Sequence, residues 1–106
     1  MKILIVDDHS LFREGLIYIL NQLDPDITII EANGYETAVA HLESQLDIDL
    51  ALFDLAMPGK DGFSLLTYCR KRYPLISIAI LSASKNAADL KRALDNGASG
   101  FIPKDT

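Results

Sequence analysis

Charged and polar side chains stand just past several short aliphatic runs of this chain: Asp7-Asp8 after Ile3–Val6, Asp54 after Leu50–Phe53, Ser82 after Ser77–Leu81, and Lys104 soon after Ser99–Ile102. In an open α/β sheet, ligands bind outside the carboxyl ends of the strands, where the strand order reverses. If the order is 2-1-3-4-5, the first and third strands are neighbours about 4.8 Å apart, and Asp7, Asp8 and Asp54 share one small pocket. Ser82 then sits one strand further along, and the flexible stem of Lys104 can reach back toward Asp54. Three carboxylates this close either share protons or are joined by a cation. Oxygen ligands in a partly hydrated site favour Mg²⁺. A divalent cation and the Lys104 ammonium together balance the three acids. Such a site can accept a phosphoryl group, its oxygens held by metal, ammonium and hydroxyl. Asp54, between the acid pair and Ser82, is the candidate nucleophile for an aspartyl-phosphate.

Taken singly, each residue has a plainer reading. Asp7-Asp8 could be a helix-entry signal, Asp54 a turn former, Ser82 a helix cap and Lys104 a solvated surface charge. The joint pattern, with an acidic, hydroxyl or basic group at successive strand ends, outweighs these readings. His9 and His41 make no metal spacing with Cys69, and His9 is expected to line the rim of the site or to start a helix. Cys69, near Leu65 and Leu66, is expected to be buried rather than reactive. Phe101 is either plain core or, beside the strand of Ser82, a switching residue.

The elements that must position these groups follow from periodicity. Continuous apolar runs predict buried strands at Ile3–Val6, Ile27–Glu31, Leu50–Phe53, Ser77–Leu81 and Ser99–Ile102. Helical spacing predicts a helix from an N-cap at Ser10 to about Leu23, with Leu16, Ile19, Leu20 and Leu23 on its inner stripe. Further helices are predicted over Tyr35–Leu46, with Ala38, Val39, Leu42 and Leu46 inward, over Phe63–Arg72, and over Asn86–Asn96 closed by Gly97. Met57-Pro58-Gly59 and Asp61-Gly62 mark the loop after the third strand. The βαβαβαβαβ order implies a parallel sheet with helices on its faces.

Composition narrows the function classes. The chain has 106 residues, 49% hydrophobic and 24% charged, and 10 Lys+Arg against 15 Asp+Glu give a net charge of −5. That length is one domain's worth. An acidic balance argues against holding a phosphate backbone directly. One Cys excludes an internal disulfide. No apolar run approaches the ~20 residues of a membrane span, and the initial run is too short for a signal peptide. A soluble domain of a reducing, cytoplasmic compartment is expected.

The blocks Ile3-Leu-Ile-Val-Asp-Asp-His9, Phe53-Asp-Leu-Ala-Met-Pro-Gly59 with Asp61-Gly62, Leu81-Ser82-Ala83, and Gly97-Ala-Ser-Gly-Phe-Ile-Pro-Lys104 resemble the receiver domain of two-component response regulators, in the order of that family. The resemblance implies a flavodoxin-like, doubly wound, five-stranded parallel sheet of order 2-1-3-4-5. It implies phosphorylation of Asp54 by the phosphohistidine of a partner histidine kinase. It also implies Mg²⁺ held by Asp8, Asp54 and the Ala56 carbonyl, with Asp7 acting largely through water. Ser82 would bond the phosphoryl group, Lys104 would pair with it, and Phe101 would turn inward. The fourth helix and fifth strand would form the signalling face.

Two features depart from that pattern. Lys104 is followed by Asp105 where many receivers have Pro, so a trans bond is expected, a cis one costing about 3 kcal/mol. Ala56 and Ser84 offer little to orient a water, so self-dephosphorylation should be slow to moderate.

An aspartyl-phosphate phosphohydrolase is the main alternative, although Ala56 stands where such enzymes place a second Asp and no cap domain is evident. A Ser-His-Asp hydrolase lacks its Gly-x-Ser-x-Gly elbow. A flavin mononucleotide carrier would need a phosphate loop where Asp7-Asp8-His9 stands. Receivers normally end in a fifth helix, for which residues 1–106 have no room. A truncated receiver domain is therefore expected, with the face the helix would cover closed by self-association or by a rearranged terminus. DNA binding would belong to a missing helix-turn-helix output domain.

Overall fold

The computed structural model describes residues 1–45, 47–57, 59–83 and 86–104. Leu46, Pro58, Ser84, Asp105 and the Lys104–Asp105 bond, each singled out above, lie outside the described residues. The aliphatic run at the start of the chain becomes an interior strand of a sheet. β1 (Lys2–Val6) is followed by α1 (Ser10–Leu23), β2 (Thr28–Ala32), α2 (Tyr35–Ser44), β3 (Leu50–Asp54), α3 (Gly62–Arg72), β4 (Ser77–Ser82), α4 (Ala87–Asp95) and β5 (Gly100–Pro103). All five strands are parallel, in the order β2-β1-β3-β4-β5, so the order reverses between β1 and β3. This is the doubly wound, flavodoxin-like fold expected.

Alternation along the strands divides the interior into two layers. Leu4, Val6, Ala51, Phe53, Ile78 and Ile80 face a core closed by Ala38 and Leu42 of α2, Leu65 and Leu66 of α3, and Ala93 of α4. Ile3, Ile5, Leu52, Ala79 and Leu81 face the other way, against Phe12, Leu16, Ile17 and Leu20 of α1. That division is what right-handed crossovers require of this strand order. Cys69 is buried in the first layer, and burial pushes its thiol up to about 12.

α1 departs from the sequence reading in two respects. Leu16 and Leu20 face inward, but Ile19 and Leu23 are 56% and 76% exposed, and Phe12 and Ile17 take their place. The helix is rotated because Arg13 is anchored: its guanidinium donates to the Asp7 carbonyl and, through Nε, to Glu31 at 3.0 Å. The N-cap is His9, not Ser10, and it makes no side-chain cap. Asp7 closes the turn instead, its Oδ1 accepting the His9 N–H at 2.8 Å.

α1 lies over part of the face above β3–β5. Leu52, Ala79 and Leu81 are buried beneath α1, so strands β3 and β4 are not wet. On this side, exposure centres on Ile102 of β5 and the flank of α1 at Leu11 and Ile19.

α3 and α4 begin as their sequences direct. The Asp61 carboxylate accepts the Ser64 N–H, and the Asn86 side chain accepts that of Ala88. α4 ends at Asp95, and Gly97, just past its cap residue Asn96, has a φ of +99°, which suits glycine.

Candidate functional site

The register of the sheet brings the strand ends together. Asp54 is in register with Leu81, and Ser82 with Pro103. The Lys104 N–H then donates to the Ser82 carbonyl at 2.8 Å, extending the β5 pairing by one residue. The Lys104 side chain folds back over the Phe12 ring, its Nζ 4.5 Å from the centroid. Its ammonium reaches Asp7 Oδ2 at 2.8 Å and Asp54 Oδ2 at 3.5 Å. Asp7, Asp54 and Ser82 are all buried.

The two buried acids are not equivalent. Both oxygens of Asp7 are engaged, Oδ2 by Lys104 and Oδ1 by the backbone N–H and the Nδ1 of His9. Burial pushes Asp7 up, but the bonds from Lys104 and His9 outweigh it and hold the carboxyl below its ordinary value. Asp54 accepts one weak bond, from the Ala56 N–H to Oδ1 at 3.3 Å, and its buried Oδ2 has no hydrogen-bond partner among the described residues. Burial first, and the charge of Asp7 second, raise it to about 6, with Lys104 only partly opposing. A buried carboxylate oxygen without a donor is costly, and a cation or a covalent partner relieves that cost.

Ligand atoms of Asp7, Asp8, His9 and Asp54 all lie within 4.8 Å of one another. The donor set fits a hard divalent cation. Asp8 and Asp54 carry the uncommitted oxygens, whereas Asp7 is already occupied by Lys104 and His9, which suits a contribution through water. Ala56 lies on the exposed loop after β3, tied to Asp54 by its own N–H. Phe101 is half-buried against the three-helix layer and in register with Ile80, on the same face of the sheet as Ser82.

Three residues matter more than their sequence context suggested. His9 places Nδ1 at 2.9 Å from Asp7 Oδ1, 3.2 Å from Asp8 Oδ1 and 3.6 Å from Asp54 Oδ2. It starts the helix and stands at the rim, as expected, but its ring nitrogen points into the cluster. The contiguous Asp7-Asp8-His9 triplet at a strand end is the available signal. Gly62 reads only as a turn, yet a Cβ there would lie 2.4 Å from the Asp54 carbonyl oxygen. Arg13 steadies the Asp7 backbone from α1, and no local pattern announces it.

Comparisons with known proteins agree with this geometry. The family model for the response regulator receiver domain matches residues 3–106. The chain is 38% identical over 104 residues to the nitrate/nitrite response regulator protein NarL of Escherichia coli strain K12, covering 97% of this chain and 47% of that protein. It is 36% identical over 105 residues to the glycerol metabolism activator of Pseudomonas putida, covering 99% of this chain and 48% of the relative. It thus spans about half the length of the curated relatives it matches. Among solved structures, the signal receiver domain of the putative response regulator NarL from Mycobacterium tuberculosis superposes with a TM-score of 0.87 at 34% identity, over 99% of this chain and 84% of that one. The isolated REC domain of RcsB from Salmonella enterica serovar Typhimurium, with the phosphomimetic BeF3-, gives 0.90 at 29% identity over 100% of this chain and 78% of that one. With a five-stranded parallel sheet of order β2-β1-β3-β4-β5 and a match to the family model along nearly its whole length, the chain belongs to the response regulator receiver domain family.

Proposed function

We propose that residues 1–106 are a phosphoacceptor switch in which Asp54 receives a phosphoryl group from the phosphohistidine of a sensor histidine kinase. The observation that carries this reading is the buried Asp54 Oδ2, which has no hydrogen-bond donor among the described residues and lies 3.5 Å from the Lys104 ammonium. Asp8, Asp54 and the Ala56 carbonyl are the residues that would hold Mg²⁺, with Asp7 acting through water. The ion would neutralise carboxylate charge and take one phosphoryl oxygen. An Asp54 carboxylate oxygen attacks phosphorus as the P–N bond to the donor imidazole breaks, and the imidazole leaves with the bonding electron pair and takes up a proton. Lys104 Nζ is placed to pair with the developing phosphoryl charge, and the Ser82 hydroxyl to donate to another oxygen. The added charge draws Ser82 toward the phosphoryl group and vacates space on the face it shares with Phe101. The ring of Phe101 fills that space and reshapes the surface of α4 and β5.

On this reading the chain catalyses only its own phosphorylation and dephosphorylation, works in the cytoplasm and binds no membrane or nucleic acid itself. DNA binding belongs to an output domain of a longer protein. Incubation with a small phosphodonor and Mg²⁺ should raise the intact mass by one phosphoryl group, and Asp54→Asn should abolish the gain. A gain that survives this substitution overturns the assignment. Sustained release of phosphate from many small esters would select a phosphohydrolase.

A further inference from the structure

We infer that Phe12 is a positioning residue for phosphoryl transfer: the face of its ring holds the Lys104 ammonium against the acid pair Asp7 and Asp54. The inference rests on the phosphoacceptor reading above and adds to it a residue outside the acidic cluster. Lys104 Nζ lies 4.5 Å from the centroid of the Phe12 ring, within the range of a cation–π contact. The same ammonium is 2.8 Å from Asp7 Oδ2 and 3.5 Å from Asp54 Oδ2. The Lys104 side chain is only 11% exposed, so its charge stands largely out of water. Lys60, Arg72 and Arg92 also lie over rings, those of Tyr35, Tyr68 and Phe63, but all three are exposed. A cation–π contact gains strength as the cation is desolvated, which makes the one at Phe12 the strongest of those described.

The first turn of α1 brings the ring to this place. Arg13 is tied to the Asp7 carbonyl and to Glu31, which sets the rotation of the helix. That rotation turns Phe12 inward, against the layer of Ile3, Ile5, Leu52, Ala79 and Leu81. On the other side, the Lys104 N–H donates to the Ser82 carbonyl at 2.8 Å and fixes the root of the lysine, leaving its four-carbon stem to be held. Phe12 and Lys104 share the wall of a groove between α1 and β5, the direction in which a free stem would swing out. An aliphatic side chain at position 12 would fill the same space but present no face of negative potential. A carboxylate there would compete with the phosphoryl group for the ammonium. A ring attracts the charge without adding one, and leaves it able to turn to a phosphoryl oxygen on Asp54.

Methylene protons held over a ring face resonate upfield, so NMR of the whole chain reads the contact directly. The Lys104 Hε signals should lie upfield of their random-coil position in the wild type, in Phe12→Tyr and in Ile17→Val, and return to it in Phe12→Leu. With phosphoramidate and Mg²⁺, the rate of gain in intact mass should fall about five- to tenfold in Phe12→Leu, as loss of one shielded cation–π contact implies. Phe12→Tyr keeps the ring, and Ile17→Val trims packing in the same layer but not the groove wall. Both should stay close to the wild-type rate. Lys104 signals at the random-coil position in the wild type overturn the contact, and that outcome needs no variant to fold. Phosphorylation of Phe12→Leu at the wild-type rate overturns the role of Phe12 and leaves the phosphoacceptor reading standing. Equal slowing in Phe12→Leu and Ile17→Val makes Phe12 a packing residue and also overturns it. A wild type that gains no phosphoryl group overturns the phosphoacceptor reading and this inference with it.

Discussion

Asp54 gives up stability for its place in the cluster, and the sign of that cost is testable. Its pKa is raised from 3.8 to about 6, so between those values the folded state binds the proton and the unfolded state does not. Stability from this group is therefore greatest below about pH 4, falls as pH rises through 4 to 6, and stays reduced above 6. The cost at neutral pH is at most about 3 kcal/mol, taking 1.36 kcal/mol per unit. Asp54→Asn should therefore be more stable than the wild type at pH 8 in the presence of a chelator, by on the order of 1–3 kcal/mol in urea unfolding. At pH 4 the difference should shrink toward zero. Mg²⁺ should close part of the gap at pH 8 by stabilising only the wild type. A variant equally stable or less stable at both pH values would show that Asp54 is satisfied in the folded protein. Asp7 behaves oppositely, because Lys104 and His9 hold its carboxyl low. Two acids in one pocket thus differ: one is a fixed anchor for the ammonium, the other keeps a buried oxygen without a hydrogen-bond donor among the described residues.

The elements hold these side chains by close backbone contact, and Gly62 is the tightest point. A Cβ at Gly62 would lie 2.4 Å from the Asp54 carbonyl oxygen and 3.0 Å from the Leu55 Cα, both backbone atoms with little freedom to move. Gly62→Ala should destabilise the chain by roughly 1–3 kcal/mol, as overpacking against rigid neighbours does, and should weaken the proposed cation binding by displacing Asp54. At Gly15, within α1, a Cβ would meet no described atom within 4 Å, so Gly15→Ala should stabilise by about 0.5–1 kcal/mol through helix propensity. Thermal melts of the pair check both signs. Equal behaviour would mean that the β3–α3 loop yields to the extra methyl. The same contrast shows what a sequence can carry. Strand runs, helix periods and the residues at the strand ends are local patterns, and they located the sheet and most of the cluster. The rotation of α1 was not legible, because it is set by Arg13 reaching the Asp7 carbonyl just past β1 and Glu31 on β2. The need for glycine at position 62 arises from another segment's carbonyl, and the inward turn of His9 from a bond to Asp7. A one-dimensional period cannot encode such contacts.

At the scale of the molecule, the two faces of the sheet are covered unequally. Three helices close one layer, whereas among the described residues α1 alone closes the other and stops short of β5. Between α1 and β5 runs a groove of about 350 Å³ whose lining includes Leu11, Leu16, Ile19, Leu81 and Ile102. Leu11, Ile19 and Ile102 keep much of their surface in water, and burying what remains exposed is worth on the order of 1 kcal/mol or more for each. Receiver domains often dimerise, and a second copy of this chain is the occupant we expect over the groove. Each copy carries a net charge of −5, so association should strengthen with salt as like-charge repulsion is screened. Sedimentation velocity should show a concentration-dependent dimer, and Ile19→Lys with Ile102→Lys should shift it to monomer, lowering the melting temperature only at concentrations where the wild type is dimeric. α4 supplies the competing surface, through the partly exposed Leu90 and Leu94. A dimer that survives the lysine pair but is lost in Leu94→Lys would place the contact on α4, where its strength would change with phosphorylation. A dimer lost only in the lysine pair would place it over α1 and β5, on the side of the sheet away from Phe101. There it would respond weakly to the state of Asp54.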